Sequence, residues 1–348
     1  MKLFPQEDNY FGLDIGNSSI KIAQLREIHG RPSLVTYGDI DIPANLATSD
    51  SEIDQAKLSE IIKQLSDDAK VTSKNVVAGL SSSRSYVAII KTPKLSHNEL
   101  SESISFQADK VIPMDISQVK LDWAVINENN EANELEVLIV AAPNNIANKY
   151  LNVVQKAGLE LMALEINPIA QARSLISLTD NPKCVVIVDI GSIASDLSIV
   201  YDGVPRLVRS IAVGSRVMNR VISQNLSVDE AQADQFLKKF GMDDTKIEGQ
   251  VFRTLKPLAD QLVEEINKSI TYFQEKNDNK KVEKIVLTGG TTALPGLPIY
   301  LANATGLTVE IGNPWQNISY PKELQDSLAS LSLNYATAIG LAMRNFHQ

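Results

Sequence analysis

Cysteine is nearly absent from this 348-residue chain; the single one, Cys184, precedes an apolar run. One thiol excludes an intramolecular disulfide and any metal site built on a cysteine cluster, and it suits a reducing compartment. Histidine is almost as sparse, and His29, His97 and His347 are too scattered to form a metal-ligand spacing. No apolar run approaches the roughly 20 residues that a membrane-spanning helix needs. The opening MKLFPQEDNY is short and polar, unlike a signal peptide, so a cytoplasmic location is expected. Positive charge is in deficit as well: the net charge is −9. That argues against nucleic acid as the main partner, because a phosphate backbone needs a basic face. The rest is ordinary for a soluble globular protein, 44% hydrophobic and 22% charged, and long enough for a core divided over more than one lobe.

Against that background one stretch stands out. In FGLDIGNSSIKIAQL, residues 11–25, an apolar strand (Phe11, Leu13, Ile15) enters Gly16-Asn17-Ser18-Ser19 and leaves as Ile20-Lys21-Ile22. The alternation on both sides of a short glycine-opened turn predicts a β-hairpin. Asp14 precedes the turn, where a strand-end carboxylate can hold a metal through water. Backbone N–H groups of Gly16 to Ser19 can line a nest for phosphate oxygens. Ser18 and Ser19 add hydroxyls, and Lys21, of opposite parity to Ile20 and Ile22, can aim its ammonium at the nest.

About one domain's length later the pattern recurs. Residues 185–200, VVIVDIGSIASDLSIV, carry Asp189-Ile190-Gly191 at a strand end, then Ser192, Ala194 and Ser195, then a second strand with Leu197 and Ile199. Either hairpin alone reads as a surface turn; two together suggest a duplicated α/β unit facing itself across a cleft. A third element, IVLTGGTTALPGL at 285–297, is an apolar strand ending in Gly289-Gly290-Thr291. Paired glycines there let the backbone approach a ligand closely. The three elements together point to a nucleotide site.

The remaining chain is organised around these. A third strand (33–40), a loop rich in Asp and Ser, a helix near 55–69 and a strand at 75–80 follow the first hairpin. From about 84 to 160 the order β-α-β-β-α makes a compact module. Its first helix is capped by Ser96 with Glu99 and is expected to run to Pro113; its second closes at Gly158. Asn167 and Pro168 open the next helix as cap and first-turn proline, and Ser227 with Glu230 predicts another capping box. On the long helix 255–274, Glu265 and Lys268 are three apart and share a face, which by itself reads as a solvated ion pair.

Asp-x-Gly hairpins in both halves followed by strand-Gly-Gly-Thr resemble the actin/Hsp70/sugar-kinase ATPase superfamily. Within it the chain is most similar to the PilM family, cytoplasmic actin-like proteins of type IV pilus assembly related to the division protein FtsA. The similarity extends over nearly the whole chain. It includes SISFQADKVIPMDISQVKLDW (103–123), LSVDEAQADQF (226–236), VEEINKSITYF (263–273) and Asn313-Pro314-Trp315. It implies an α/β, actin-like (ribonuclease H-like) duplicated two-lobe fold with an inserted β-α-β-β-α subdomain of the FtsA/PilM type. The implied division is lobe one at 1–83 and 161–183, the insert at 84–160, the core of lobe two at 184–215 and 283–325, its outer helical part at 216–282, and a returning C-terminal helix at 326–348. The helix after Pro168 and the last helix, with Gly340, would be the two connections on which the lobes hinge.

The resemblance also implies ligands. ATP would be clamped by the two hairpins, through Gly16, Asn17, Ser18, Ser19 and Lys21 on one side and Gly191, Ser192 and Ser195 on the other. Asp14 and Asp189 would hold Mg²⁺ through water. Gly289, Gly290 and Thr291 would border the adenosine, and Glu265 and Lys268 would reach the ribose and base. The position that orients water in relatives falls near Glu165 to Asn167, and an asparagine is a poor base, so slow or absent hydrolysis is expected. Asn17 stands where relatives more often carry Ser or Thr, and serines replace threonine in the second loop, which would weaken phosphate binding without removing the backbone nest. The implied partner is the N-terminal cytoplasmic peptide of PilN, held in the groove between core and insert, along with other inner-membrane pilus assembly proteins. Self-association is left open, and membrane contact would come through partners alone. Two alternatives stand beside this: an FtsA-like filament-forming division protein, for which the expected C-terminal amphipathic tail is missing after Leu341 to Gln348, and a small-molecule kinase, for which no dedicated acidic base is evident.

Overall fold

The computed structural model describes residues 9–180 and 182–346. Lobe one opens with β1 (Tyr10–Ile15), β2 (Ser19–Ile28) and β3 (Arg31–Asp41), followed by α1 (Glu52–Asp68) and β4 (Asn75–Leu80). The insert supplies β5 (Tyr86–Pro93), α2 (His97–Ala108), β6 (Val119–Asn129) and β7 (Glu134–Pro143). Next come α3 (Asn144–Lys156), β8 (Glu160–Ile166) and α4 (Asn167–Leu175). Lobe two holds β9 (Cys184–Ile190), β10 (Ser195–Tyr201), β11 (Val204–Ile211), α5 (Ser215–Leu226), α6 (Glu230–Phe240), α7 (Gln250–Lys276), β12 (Lys284–Thr288), α8 (Leu297–Thr305) and β13 (Thr308–Ile311). The chain returns through α9 (Gln325–Leu331) and α10 (Ala336–Ala342).

The duplication is plain in the sheets. Their strand orders are β3-β2-β1-β4-β8 and β11-β10-β9-β12-β13, each an antiparallel meander of three followed by two parallel strands. Central strands β1 and β9 read as near-continuous apolar runs because helices or a second layer cover both faces; from Cys184 to Val188 every side chain is buried. The apolar run breaks at Asp14 and Asp189, at the strand ends where the two sheets face each other.

The insert's own core is α2 laid on a three-stranded antiparallel sheet, order β5-β7-β6, with Leu100, Ile104 and Ala108 against Val137, Ile139 and Ala141. The capping box of Ser96 and Glu99 forms, but α2 ends at Ala108 rather than at Pro113. α3 faces elsewhere: Tyr150, Val153, Val154 and Ala157 pack with Phe11, Leu58 and Ile62 of lobe one. Ser227 does not cap α6. It closes α5 in the left-handed region (φ 53°), and Asp229 with Gln232 makes the capping box instead.

The lobes are joined where α4 crosses α10. Gly340 lies so close to Ala170 that an added methyl carbon would sit 2.9 Å from its Cα and overlap its carbonyl. Gly12 on β1 is covered in the same way by Ala338 of α10. Arg173 of α4 donates to the Gly340 carbonyl at 2.5 Å and to Glu165 at 2.8 and 3.2 Å, and Arg344 donates to Glu165 at 2.7 Å. A buried carboxylate shared by two guanidinium groups therefore ties β8, α4 and the segment after α10 together.

Candidate functional site

Between the lobes lies a cleft of about 270 Å³. The two hairpin turns form opposite walls and close in the same way: Gly16 N donates to the Ser19 carbonyl and Gly191 N to the Ala194 carbonyl, each at 3.0 Å. Those two N–H groups are thus spent inside their turns. From the first turn the cleft is lined by Asp14, Gly16, Asn17 and Lys21, from the second by Asp189, Gly191 and Ser192, and at one end by Gly289 and Gly290. Gly289 has φ +93°, and a side-chain carbon there would overlap an Asp189 carboxylate oxygen and lie 2.8 Å from Ile190 N, so the turn requires glycine.

Other anticipated residues stand off the cleft lining. Ser18 is exposed, and its carbonyl accepts from Ile42 N at 2.9 Å. Ser19 accepts from the Lys21 ammonium at 2.5 Å. Ser195 is fully buried and donates to the Val213 carbonyl at 2.5 Å, because its place in β10 turns it into the lobe. Thr291 donates to the Gly191 carbonyl at 3.3 Å and so braces the second turn. Glu265 and Lys268 do share a face of α7, but that face is occupied with an ion cluster: Glu265 with Arg209 at 3.5 Å, and Lys268 with Glu264 at 2.6 Å and Glu265 at 3.4 Å. Glu165 is turned away into its arginine pair, whereas Asn167 lines the cleft. Asn167 does not cap α4: Ile166 holds the cap position, and the Asn167 Oδ1 is buried without a partner among the described residues.

Several lining residues went unread in the sequence: Ser81, Ser83, Arg84, Gln171, Asp196, Asn334 and Thr337. Gln171, on α4, donates to Asp189 at 2.6 Å and to Thr337 of α10 at 3.1 Å. Asp196 had a legible signal. In the first hairpin Asp14 pairs across the strands with Lys21; in the second, Asp189 pairs with Asp196 at the same step. The equivalent position thus carries opposite charges in the two halves.

Electrostatics follow from that pairing. Burial raises the Asp14 carboxyl above its ordinary range, and Lys21 opposes the shift. Asp189 is pushed up to about 7, by burial first and then by the charge of Asp196, while Gln171 opposes. Asp196 is itself raised by burial, with Ser210 and Ser82 working against that. Its Oδ1, like that of Asn167, has no partner among the described residues. Such a cleft disfavours three bare carboxylates and favours a bound cation or protons. Among the described residues no group of three or more His, Cys, Asp and Glu forms a direct metal cage. The donor set therefore suits a hydrated hard cation touched by one or two carboxylates.

A second concavity lies on lobe one where β6 and β7 of the insert meet α3 and β8. It is apolar, about 510 Å³, and lined among others by Leu121, Val140, Leu151, Leu161, Met162 and Leu164. β8 is the edge strand of its sheet, and its register with β4 shifts between Val76 and Val77, opposite Met162. Met162 is left 57% exposed.

Residues 12–346 match the family described as Type IV pilus assembly protein PilM. Among solved structures, the PilM-PilN type IV pilus biogenesis complex aligns with a TM-score of 0.86 at 24% identity, over 98% of this chain and 99% of that one. MreB5 of Spiroplasma citri bound to AMPPNP aligns with a TM-score of 0.53 at 14% identity, over 98% and 97% of the two chains. Cell division protein FtsA of Bacillus subtilis is 22% identical over 52% of this chain, and that of Enterococcus faecalis 20% over 91%. The match spans 45% of the first relative and 84% of the second. These similarities bear out the actin-like fold.

Proposed function

The chain belongs to the type IV pilus assembly protein PilM family, and from that premise we propose that it is a nucleotide-bound scaffold of a pilus assembly complex at the inner face of the cytoplasmic membrane. The observation that carries this reading is the convergence of two equivalent turns on one cleft, with a glycine pair at its end. In this reading ATP lies between the turns. Lys21 balances phosphate charge, and Asp14 and Asp189 hold the water shell of Mg²⁺, which neutralises developing charge on the phosphates when bound. The orphaned oxygens of Asp196 and Asn167 fit such a hydrated ion.

Hydrolysis is slow or absent. Orienting a water for attack on phosphate needs a positioned acceptor. Glu165 is held by two arginines, the Gln171 amide is engaged by Asp189 and Thr337, and Asn167 is no base.

The partner is the N-terminal cytoplasmic peptide of a PilN-type membrane protein, seated in the apolar groove between insert and lobe one. An extended peptide there gains backbone bonds from the β8 edge and buries side chains against Leu151 and Met162. Membrane contact then comes through the partner; among the described residues no helix is long and apolar enough to cross a bilayer. Fluorescence anisotropy with the labelled peptide, in the presence of Mg-ATP, tests this. The wild type should bind, and Met162→Asp should weaken binding at least tenfold. Absence of binding by the wild type, or equal binding by the variant, overturns the groove assignment.

A further inference from the structure

We propose that Arg216 is an inter-lobe clasp, a positioning residue that sets the gap between the two turns and so makes the cleft prefer a nucleoside triphosphate to a diphosphate. This rests on the nucleotide reading given above. Arg216 stands in the first turn of α5, in lobe two. Its backbone N donates to the Ser192 carbonyl at 2.9 Å, and Ser215 N donates to the Gly191 carbonyl at 3.1 Å, so the second turn is fastened to the start of this helix. Gly214 permits the contact, since a Cβ there would lie 2.7 Å from the Ser192 carbonyl oxygen. The Arg216 side chain then crosses to the other lobe. Nη2 donates to the Asn17 carbonyl at 3.4 Å and Nη1 to Asn45 Oδ1 at 3.0 Å. One residue therefore holds both turns.

The acceptors in lobe one are themselves held firmly. Asn45 adopts φ +68° at the start of the loop that supplies Ala47 and Thr48 to the cleft. That loop is tied to the first turn by Ile42 N donating to the Ser18 carbonyl at 2.9 Å. Lys149, 5% exposed, donates to the Ala47 carbonyl at 3.0 Å, and Arg84 donates to the same oxygen at 3.3 Å. Loop and turn thus form one unit, and Arg216 grips it at two points. A bidentate grip fixes orientation as well as distance, which a lysine cannot reproduce. Neither acceptor is a carboxylate, so these two bonds bring no negative charge to the guanidinium.

Discrimination follows from where the clasp acts. A ligand with two phosphates leaves the space between the turns to water, so the width of that gap matters little to it. A terminal third phosphate uses donors from both turns at once, and its binding depends on their separation. Loosening the clasp therefore penalises the triphosphate selectively.

The test compares wild type, Arg216→Ala and Arg216→Lys by titration with fluorescent ATP and ADP analogues in Mg²⁺. Alongside it runs a distance measurement between spin labels placed by cysteine substitution at Ile53 and Ile299, one in each lobe and 80% and 69% exposed. The native Cys184 is buried and does not compete for label. The expected result for Arg216→Ala is about tenfold weaker ATP-analogue binding, less than twofold change for ADP, and a longer label distance without nucleotide; Arg216→Lys recovers part of the loss. Equal losses for both nucleotides, or an unchanged distance, overturn the clasp. If the wild type bound neither analogue, the nucleotide reading would fail, and the label distance in Arg216→Ala would still decide whether the clasp exists.

Discussion

Replacing Asp189 by asparagine should stabilise the protein at alkaline pH when nucleotide and divalent cation are both withheld, and should do nothing near pH 4. Asp189 sits at about 7 because it is buried and faces Asp196 across the hairpin, with a further contribution from Asp14. An unfolded chain leaves the same carboxyl near 3.9. With the folded value raised, the group's contribution to stability is complete below about pH 4 and is lost as pH climbs through 7. At about 1.4 kcal/mol for each unit, the full cost at pH 8 would be roughly 4 kcal/mol. The cleft admits water, so an effective cost of about 2 kcal/mol is the better figure. Asparagine keeps the shape, can accept from Gln171 through its Oδ1, and carries no charge. In a chain of this size about 2 kcal/mol corresponds to a rise in Tm of roughly 3 °C. Thermal unfolding of both proteins at pH 4, 5, 6, 7 and 8 in a chelating buffer reads the effect as curves that diverge with pH. Adding Mg-ATP reverses the order, since the wild type then gains a ligand its variant cannot hold well. Curves that stay parallel from pH 4 to 8, or a variant less stable at pH 8, would refute the like-charge argument.

Two further outcomes follow from the packing. Gly340→Val forces a branched side chain into the backbone of α4, where no flexible side chain can yield; it should cost about 3 kcal/mol or more, read as a lower urea midpoint, and should do so in the absence of any ligand. Glu265→Ala with Lys268→Ala removes an exposed ion cluster from α7; nucleotide affinity should stay within twofold and stability within about 1 kcal/mol, checked by the same titration and melt, and a tenfold loss of nucleotide would place α7 at the site after all.

What could be read in the chain was whatever local periodicity encodes. The hairpins, the paired glycines, and the order of strands and helices within the insert are short-range patterns, and they fold as the alternation requires. What could not be read depends on elements brought together from afar. Gln171 and Thr337 reach the cleft because α4 crosses α10, and Asn334 because the turn before α10 lies against Gly289 and Gly290; nothing in their immediate neighbours marks them. For Glu265 and Lys268 spacing shows that they share a helix face, but not which way the face points; Arg209 on β11 is what draws Glu265 away. Asn167 carries the local signature of a cap, yet its Oδ1 is left in the cleft wall.

Asp196 is a different case, because its signal was present and concerned contrast rather than repetition. Step for step, Lys21 of the first hairpin becomes Asp196 in the second. A duplication maintained for stability alone gains nothing from a like-charge cross-strand pair, which weakens a hairpin. Two turns of the same shape, one ending in an acid–base pair and the other in two acids, instead present a cation to one side of the cleft and a demand for a cation to the other. A bare anion finds a cation only at Lys21 on the first wall and is repelled by the two acids of the second; a bare metal ion is drawn to the carboxylates and leaves Lys21 unmatched. An anion that brings its own divalent metal meets both conditions at once, and this contrast between the turns is what supports the proposed metal–phosphate ligand over a sugar or a simple carboxylate.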